Sequence, residues 1–296
     1  MKDKIDYTGD EQAEKTCGYI RMRRCKSGGY CFYRLDHPNA ADTFYALHSL
    51  LLLGKDLYDE QTREFLKSLQ KEDGSYSSVQ AALYCGYSLA LLGDRPLIDI
   101  EPYLDKINLI PSKKYDKPDN RSFLEPAYNA IALYRLYGKN IPGDAADLIG
   151  DAIFGLKESH YEGRTSFGNL TDTQYSVMIL KMLGYKLPTD EIKAYINDCT
   201  DREYGFVPEP GRAPAYLENI YSGLILSLIL KTKSNSGLCR NFINMCYDSS
   251  GGYVRSVFGG SPSLEYTRLA IESLYMLETG MIPDIYQKKA SYEVVA

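Results

Sequence analysis

The chain has 296 residues, is 44% hydrophobic and 25% charged, and carries a formal net charge of −5. That apolar fraction excludes wholesale disorder, and the mild acidity argues against a nucleic-acid backbone as partner. The longest apolar run, Tyr221–Leu230, falls well short of the ~20 residues that span a bilayer, so no transmembrane segment is expected. The start, Met1-Lys-Asp-Lys4, lacks a signal-peptide core, and the end, Glu293-Val-Val-Ala296, lacks a prenylation box. Seven scattered cysteines suit a reducing compartment, and a cytoplasmic location is the expectation. The aromatic composition is lopsided, with 27 Tyr and no Trp.

Taken in chain order, polar amphipathic segments alternate with segments that are apolar on nearly all sides. Segment 10–24 precedes 41–53, 58–70 precedes 80–92, and 99–108 precedes 126–137. Segment 144–158 then precedes 171–183, 188–199 precedes 215–230, and 236–247 precedes 264–277. Helices apolar all round are buried, and amphipathic ones face water on one side. Gly54, Gly93, Gly138 and Gly184 stand where C-terminal helix caps are expected. Pro188-Thr-Asp-Glu191 and the acids Asp144 and Asp147 mark two helix starts.

The apolar runs share a frame. Three are preceded by a Gly-aromatic pair (Gly29-Tyr30, Gly205-Phe206 and Gly252-Tyr253) with an acid 13 residues after the Gly, at Asp42, Glu218 and Glu265. Across the chain the anchors fall at 42, 81, 126, 172, 218 and 265, separated by 39, 45, 46, 46 and 47 residues. Such a period marks a helical-hairpin repeat. Six hairpins, with the apolar helices inside and the amphipathic ones outside, predict an all-α fold, an α6/α6 toroid. It forms one domain over 1–296, with a repeat core of about 10–280 and a short tail 281–296.

Asp42, Glu125, Asp172, Glu218 and Glu265 each fall near the start of an inner helix, on one rim of this barrel. Two readings stand open. They cap helices and offset the macrodipole, or they form a carboxylate ring whose crowding raises pKa values and leaves a proton donor. Tyr45, Tyr84, Tyr175 and Tyr221 follow their anchors at +3, on the same helix face, with Tyr128 and Tyr266 displaced. These tyrosines fit core packing equally well, or an aromatic pocket for an isoprenoid-sized ligand. Cys25-x5-Cys31-x5-His37 matches no common zinc spacing, and His48 reads as a core histidine.

Gln70-Lys-Glu-Asp-Gly74-Ser-Tyr76 resembles the Q-x3-G-x-W repeat of the α/α-toroid superfamily of protein prenyltransferase β subunits and squalene/terpene cyclases, with Tyr76 in the Trp position. Gly211-Arg-Ala-Pro-Ala-Tyr-Leu-Glu-Asn-Ile-Tyr-Ser222 is similar to the prenyltransferase zinc segment G-R-x-N-K-L-V-D-x-C-Y-S. The resemblance implies zinc ligands at Glu218, Ile220 and Thr267, of which Ile220 and Thr267 replace the family's Cys and His. It implies a diphosphate pocket with Arg212 and Tyr221 in place, but with Ala215 and Gln174 where the family has Lys and Arg. Neither the D-x-D-D acid motif of the cyclases nor the D-D-x-x-D magnesium motif occurs.

The expectation is a prenyltransferase-like or terpene-cyclase-like protein, without zinc or another cofactor. It binds a hydrophobic or isoprenoid small molecule in the barrel. Asp172 and Glu218 are the candidate acids, and Arg212, Tyr221, Tyr45, Tyr84, Tyr175, Asp42 and Glu265 line the ligand. The resemblance also implies a possible helical partner subunit. The alternatives are a non-catalytic lipid-binding or protein-interaction module and an α6/α6 carbohydrate-active enzyme.

Overall fold

The computed structural model describes residues 10–32, 36–109, 123–158 and 167–286, so the tail expected from 281 is described only to 286. Twelve α-helices are described. The outer series is α1 (Asp10–Arg21), α3 (Glu60–Ser68), α5 (Glu101–Leu104), α7 (Gly143–Glu158), α9 (Thr189–Asp198) and α11 (Ser236–Met245). The inner series is α2 (Ala40–Leu52), α4 (Val79–Leu91), α6 (Leu124–Leu136), α8 (Leu170–Met182), α10 (Leu217–Leu230) and α12 (Leu264–Thr279). Two short paired strands, β1 (Thr200–Asp201) and β2 (Gly205–Phe206), form the turn before α10. The inner helices pack in the order α2, α4, α6, α8, α10, α12 and back to α2, so the ring closes. No described helix is long and apolar enough to cross a membrane.

Local chemistry sets the helix boundaries. Asn39, Ser78, Asn169 and Ser263 cap inner helices by accepting from the backbone N–H three residues on. At the other end Gly54, Gly93, Gly138 and Gly184 take φ of 69°, 68°, 69° and 81°. The N–H of the residue after each Gly reaches back to Leu50, Leu89, Tyr134 and Leu180, which satisfies carbonyls the helix leaves orphaned.

The Gly-aromatic pairs serve the joints between repeats. A Cβ on Gly29 would meet the Phe65 ring of α3 at 2.5 Å, and one on Gly205 would meet Cys239 of α11 at 2.8 Å. One on Gly252 would meet the Tyr19 ring of α1 at 2.4 Å. Each glycine thus seats against the outer helix that follows, and the last closes the outer layer onto the first. The aromatic residue's N–H is taken by a helix threonine: Tyr30 donates to Thr43 and Tyr253 to Thr267. Both hydroxyls in turn donate to the N-cap carbonyl of their own helix.

One element differs from expectation. Helix 99–108 shrinks to the four residues of α5. Gln70 accounts for its late start. Its amide accepts from Ile98 N–H and donates to Ile98 C=O and Gly74 C=O, at 2.9, 2.9 and 3.1 Å. This non-local grip holds the approach to α5 out of helical geometry. It also makes Gln70 a staple between the second and third repeats, with Tyr76 buried beside it. Gln70→Ala leaves these backbone groups without their partners and is expected to lower the unfolding free energy by about 2 kcal/mol. Urea denaturation followed by circular dichroism reads this, and an unchanged midpoint contradicts the staple.

Candidate functional site

The six inner helices run parallel, so their N-termini meet at one mouth of the barrel. Asp42 there accepts from the Asn39 amide at 2.6 Å, and Glu125 accepts from Gln80 at 3.2 Å. Asp172 closes a capping box with Asn169. Glu218 pairs with Arg255 at 2.7 Å, and Arg255 lies 4.2 Å over the Tyr216 ring. Glu265 keeps solvent access. Burial raises the carboxyl pKa of both Asp42 and Glu265; Glu265 is pulled down by Arg268 and pushed up by Glu218, Glu125 and Asp42.

One turn deeper lies the +3 layer. Counted from 42, 81, 125, 172 and 218, it holds Tyr45, Tyr84, Tyr128, Tyr175 and Tyr221. Counted from Glu265, it holds Arg268. Tyr45 and Tyr84 share a hydroxyl bond of 3.2 Å, and the Tyr128 and Tyr175 rings lie 5.3 Å apart. Burial pushes the phenols of Tyr84, Tyr128 and Tyr175 above their ordinary range, yet each keeps partial solvent access. They pack against the core while keeping an edge exposed. Arg268 lies 4.9 Å from the Tyr45 ring and 5.6 Å from the Tyr221 ring, within cation–π range.

Below this layer the axis is closed. Glu272, fully buried, accepts from Arg268 at 2.9 Å and lies 2.8 Å from Nδ1 of His48, itself 1% exposed. His48 stacks on Phe44 and Phe44 on Tyr84. Ser49, Ser88, Ile179 and Ile225, at the same depth, are buried. Along the axis the mouth carboxylates, the tyrosine layer and a buried ionic pair thus lie one below the other. Two hollows lie away from the axis, one beside α5 and α7 at Leu104 and Tyr134, the other at the far ends of α6 and α8.

Asp42, Asp172, Glu218 and Glu265 lie at the mouth, and Tyr45, Tyr84, Tyr175 and Tyr221 lie one turn deeper. Arg212 is not brought to Tyr221. It is 72% exposed and pairs with Glu209 at 3.0 Å across its own loop. Ala215 is buried, and Gln174 accepts a hydrogen bond from Ser222. The cation at Tyr221 is Arg268, whose signal in the sequence is an arginine at +3 from Glu265 in the sixth repeat, where the other repeats place tyrosine.

The positions that the resemblance assigns to zinc do not fit the ion. Ile220 offers no donor and is fully buried. Thr267 turns toward the outer layer, where its hydroxyl is engaged with Tyr253 and Ser263. The α12 residue beside Glu218 and Arg255 is Tyr266, whose phenol is raised by burial and by Glu218. Among the described residues no three His, Cys, Asp or Glu side chains are grouped to hold a metal. The seven cysteines are buried thiols.

Residues 3–107 and 219–296 match the prenyltransferase alpha-alpha toroid domain, and the chain belongs to that family. No curated protein matches it. Among solved structures it is similar to Candida albicans protein geranylgeranyltransferase-I complexed with GGPP, with a TM-score of 0.57 and 16% identity, over 93% of this chain and 97% of that one. Likeness at that identity speaks for the fold.

The rim has a pH signature. A carboxyl with a raised folded pKa holds its proton where the unfolded chain has released it, so stability falls as pH rises through the folded pKa. Glu265→Gln is therefore expected to raise the urea midpoint at neutral pH and to leave it unchanged well below the ordinary carboxylate range. Equal midpoints at neutral pH contradict this.

Proposed function

We propose that this toroid-family chain binds an isoprenoid-type ligand in the tyrosine cup and works without zinc. The observation that carries the reading is the +3 layer: five tyrosines from five inner helices, of which Tyr84, Tyr128, Tyr175 and Tyr221 keep partial solvent access. An apolar chain entering the cup covers aromatic surface, and ring faces are suited to stabilising a carbocation. Fold likeness to a protein solved with GGPP supports the ligand class. The finer activity we assign is prenyltransferase-like or terpene-cyclase-like. Glu265 is the rim carboxyl best suited to hold a proton, because burial and its neighbours raise its pKa. Asp172 and Glu218 are the other candidate acids.

One observation favours the second reading, a non-catalytic lipid-binding module. Asp172 is committed to its capping box and Glu218 to Arg255, so two of the rim acids already have structural employment.

The protein has no Trp, so its tyrosine emission is unmasked. Titration with geranyl, farnesyl and geranylgeranyl alcohols, amines and diphosphates is expected to give saturable quenching with at least one of them. Tyr84→Ala and Tyr175→Ala each weaken that binding by about tenfold, the scale of one lost aromatic contact. Tyr58→Ala, at a residue 75% exposed and outside the cup, leaves it unchanged. Absence of saturable binding for every compound contradicts the proposal.

A further inference from the structure

The cup's electrostatics bear on what an isoprenoid in it carries at its head, an inference that rests on the isoprenoid reading above. Five of the six repeats place a carboxylate at the mouth: Asp42, Glu125, Asp172, Glu218 and Glu265. They share one field, since Glu265 responds to Glu218, Glu125 and Asp42 together. Among the described residues the nearby cations are committed. Arg255 is paired with Glu218, and Arg268 with Glu272 on the floor. Arg23, whose charge reaches Asp42, is spread over the Tyr19 ring at 3.5 Å and donates to Tyr19 C=O. Arg212 faces away, paired with Glu209.

The helix N-termini that converge here do not reverse the balance. At four of them Asn39, Ser78, Asn169 and Ser263 each take one leading N–H, and the rim acids Asp42, Glu125, Asp172, Glu218 and Glu265 offset the macrodipoles. A multiply charged anion entering this mouth meets like charges before it meets the tyrosines, in surroundings that screen them less than bulk water. A hydroxyl or ammonium group meets acceptors instead, and an ammonium also meets ring faces.

We propose that the cup selects an isoprenoid whose head group donates hydrogen bonds, an alcohol or a protonated amine, and disfavours the diphosphate. The rim carboxylates accept from that head while the chain lies among Tyr84, Tyr128 and Tyr175. Glu272 and His48 hold Arg268 in the tyrosine layer, where it lies within cation–π range of the Tyr45 and Tyr221 rings.

Isothermal titration of the full chain with farnesol, farnesylamine and farnesyl diphosphate, each with and without magnesium, tests this. The expected result is diphosphate binding at least tenfold weaker than alcohol or amine, with amine affinity falling as salt rises. In the double variant Glu125→Gln/Glu265→Gln the alcohol-to-diphosphate affinity ratio is expected to fall by at least threefold. Diphosphate binding as tight as alcohol, with or without magnesium, overturns the inference but leaves the isoprenoid reading standing. A ratio that the double variant does not move also overturns it. Silence from all three compounds overturns both.

Discussion

A hydrogen bond of 2.8 Å between His48 on α2 and Glu272 on α12 joins the first inner helix to the last, across 224 residues of chain. Both side chains are buried, and Glu272 also holds Arg268. A buried carboxylate is tolerated only when its partners offset the loss of water, and removing one partner of such a group is typically strongly destabilising. The ring therefore closes in one register, with α12 rotated so that Arg268 lies in the tyrosine layer. From that rotation follow the closed floor, the aromatic wall and the outward turn of Thr267.

The rim combines two tasks. Asp42 and Asp172 help finish helix N-termini, and Glu218 is neutralised by Arg255. Glu265, on the helix that carries Arg268, feels the charges of Glu218, Glu125 and Asp42. Capping and binding chemistry are thus distributed around one ring of equivalent positions. The same repeat that built the fold supplies six variants of one site, and their differences give the mouth its polarity.

The architecture was legible because its signals are local. Apolar segments of fixed spacing, acids at helix starts and glycines at helix ends placed the inner helices to within a few residues. The shortened α5 was not legible, since it depends on Gln70 reaching a backbone 28 residues away. Arg212 sits in a matching motif, yet loop direction decides where a side chain points, and its loop turns it to Glu209. Arg268 obeys the i, i+3 rule from Glu265, but it interrupts a run of tyrosines and shows only when the six positions are taken together as a layer. Tyr128 was misregistered for a related reason: counted from Pro126 it is displaced, and counted from Glu125 it joins the layer.

The crystal structure of the chain soaked with farnesol tests the central claim most directly. The account predicts isoprenoid density lying among the rings of Tyr84, Tyr128 and Tyr175, with the hydroxyl at the Glu265 rim and the His48–Glu272 floor intact. Density confined to the outer wall, or a ring whose tyrosines close the axis and admit no ligand, would contradict it.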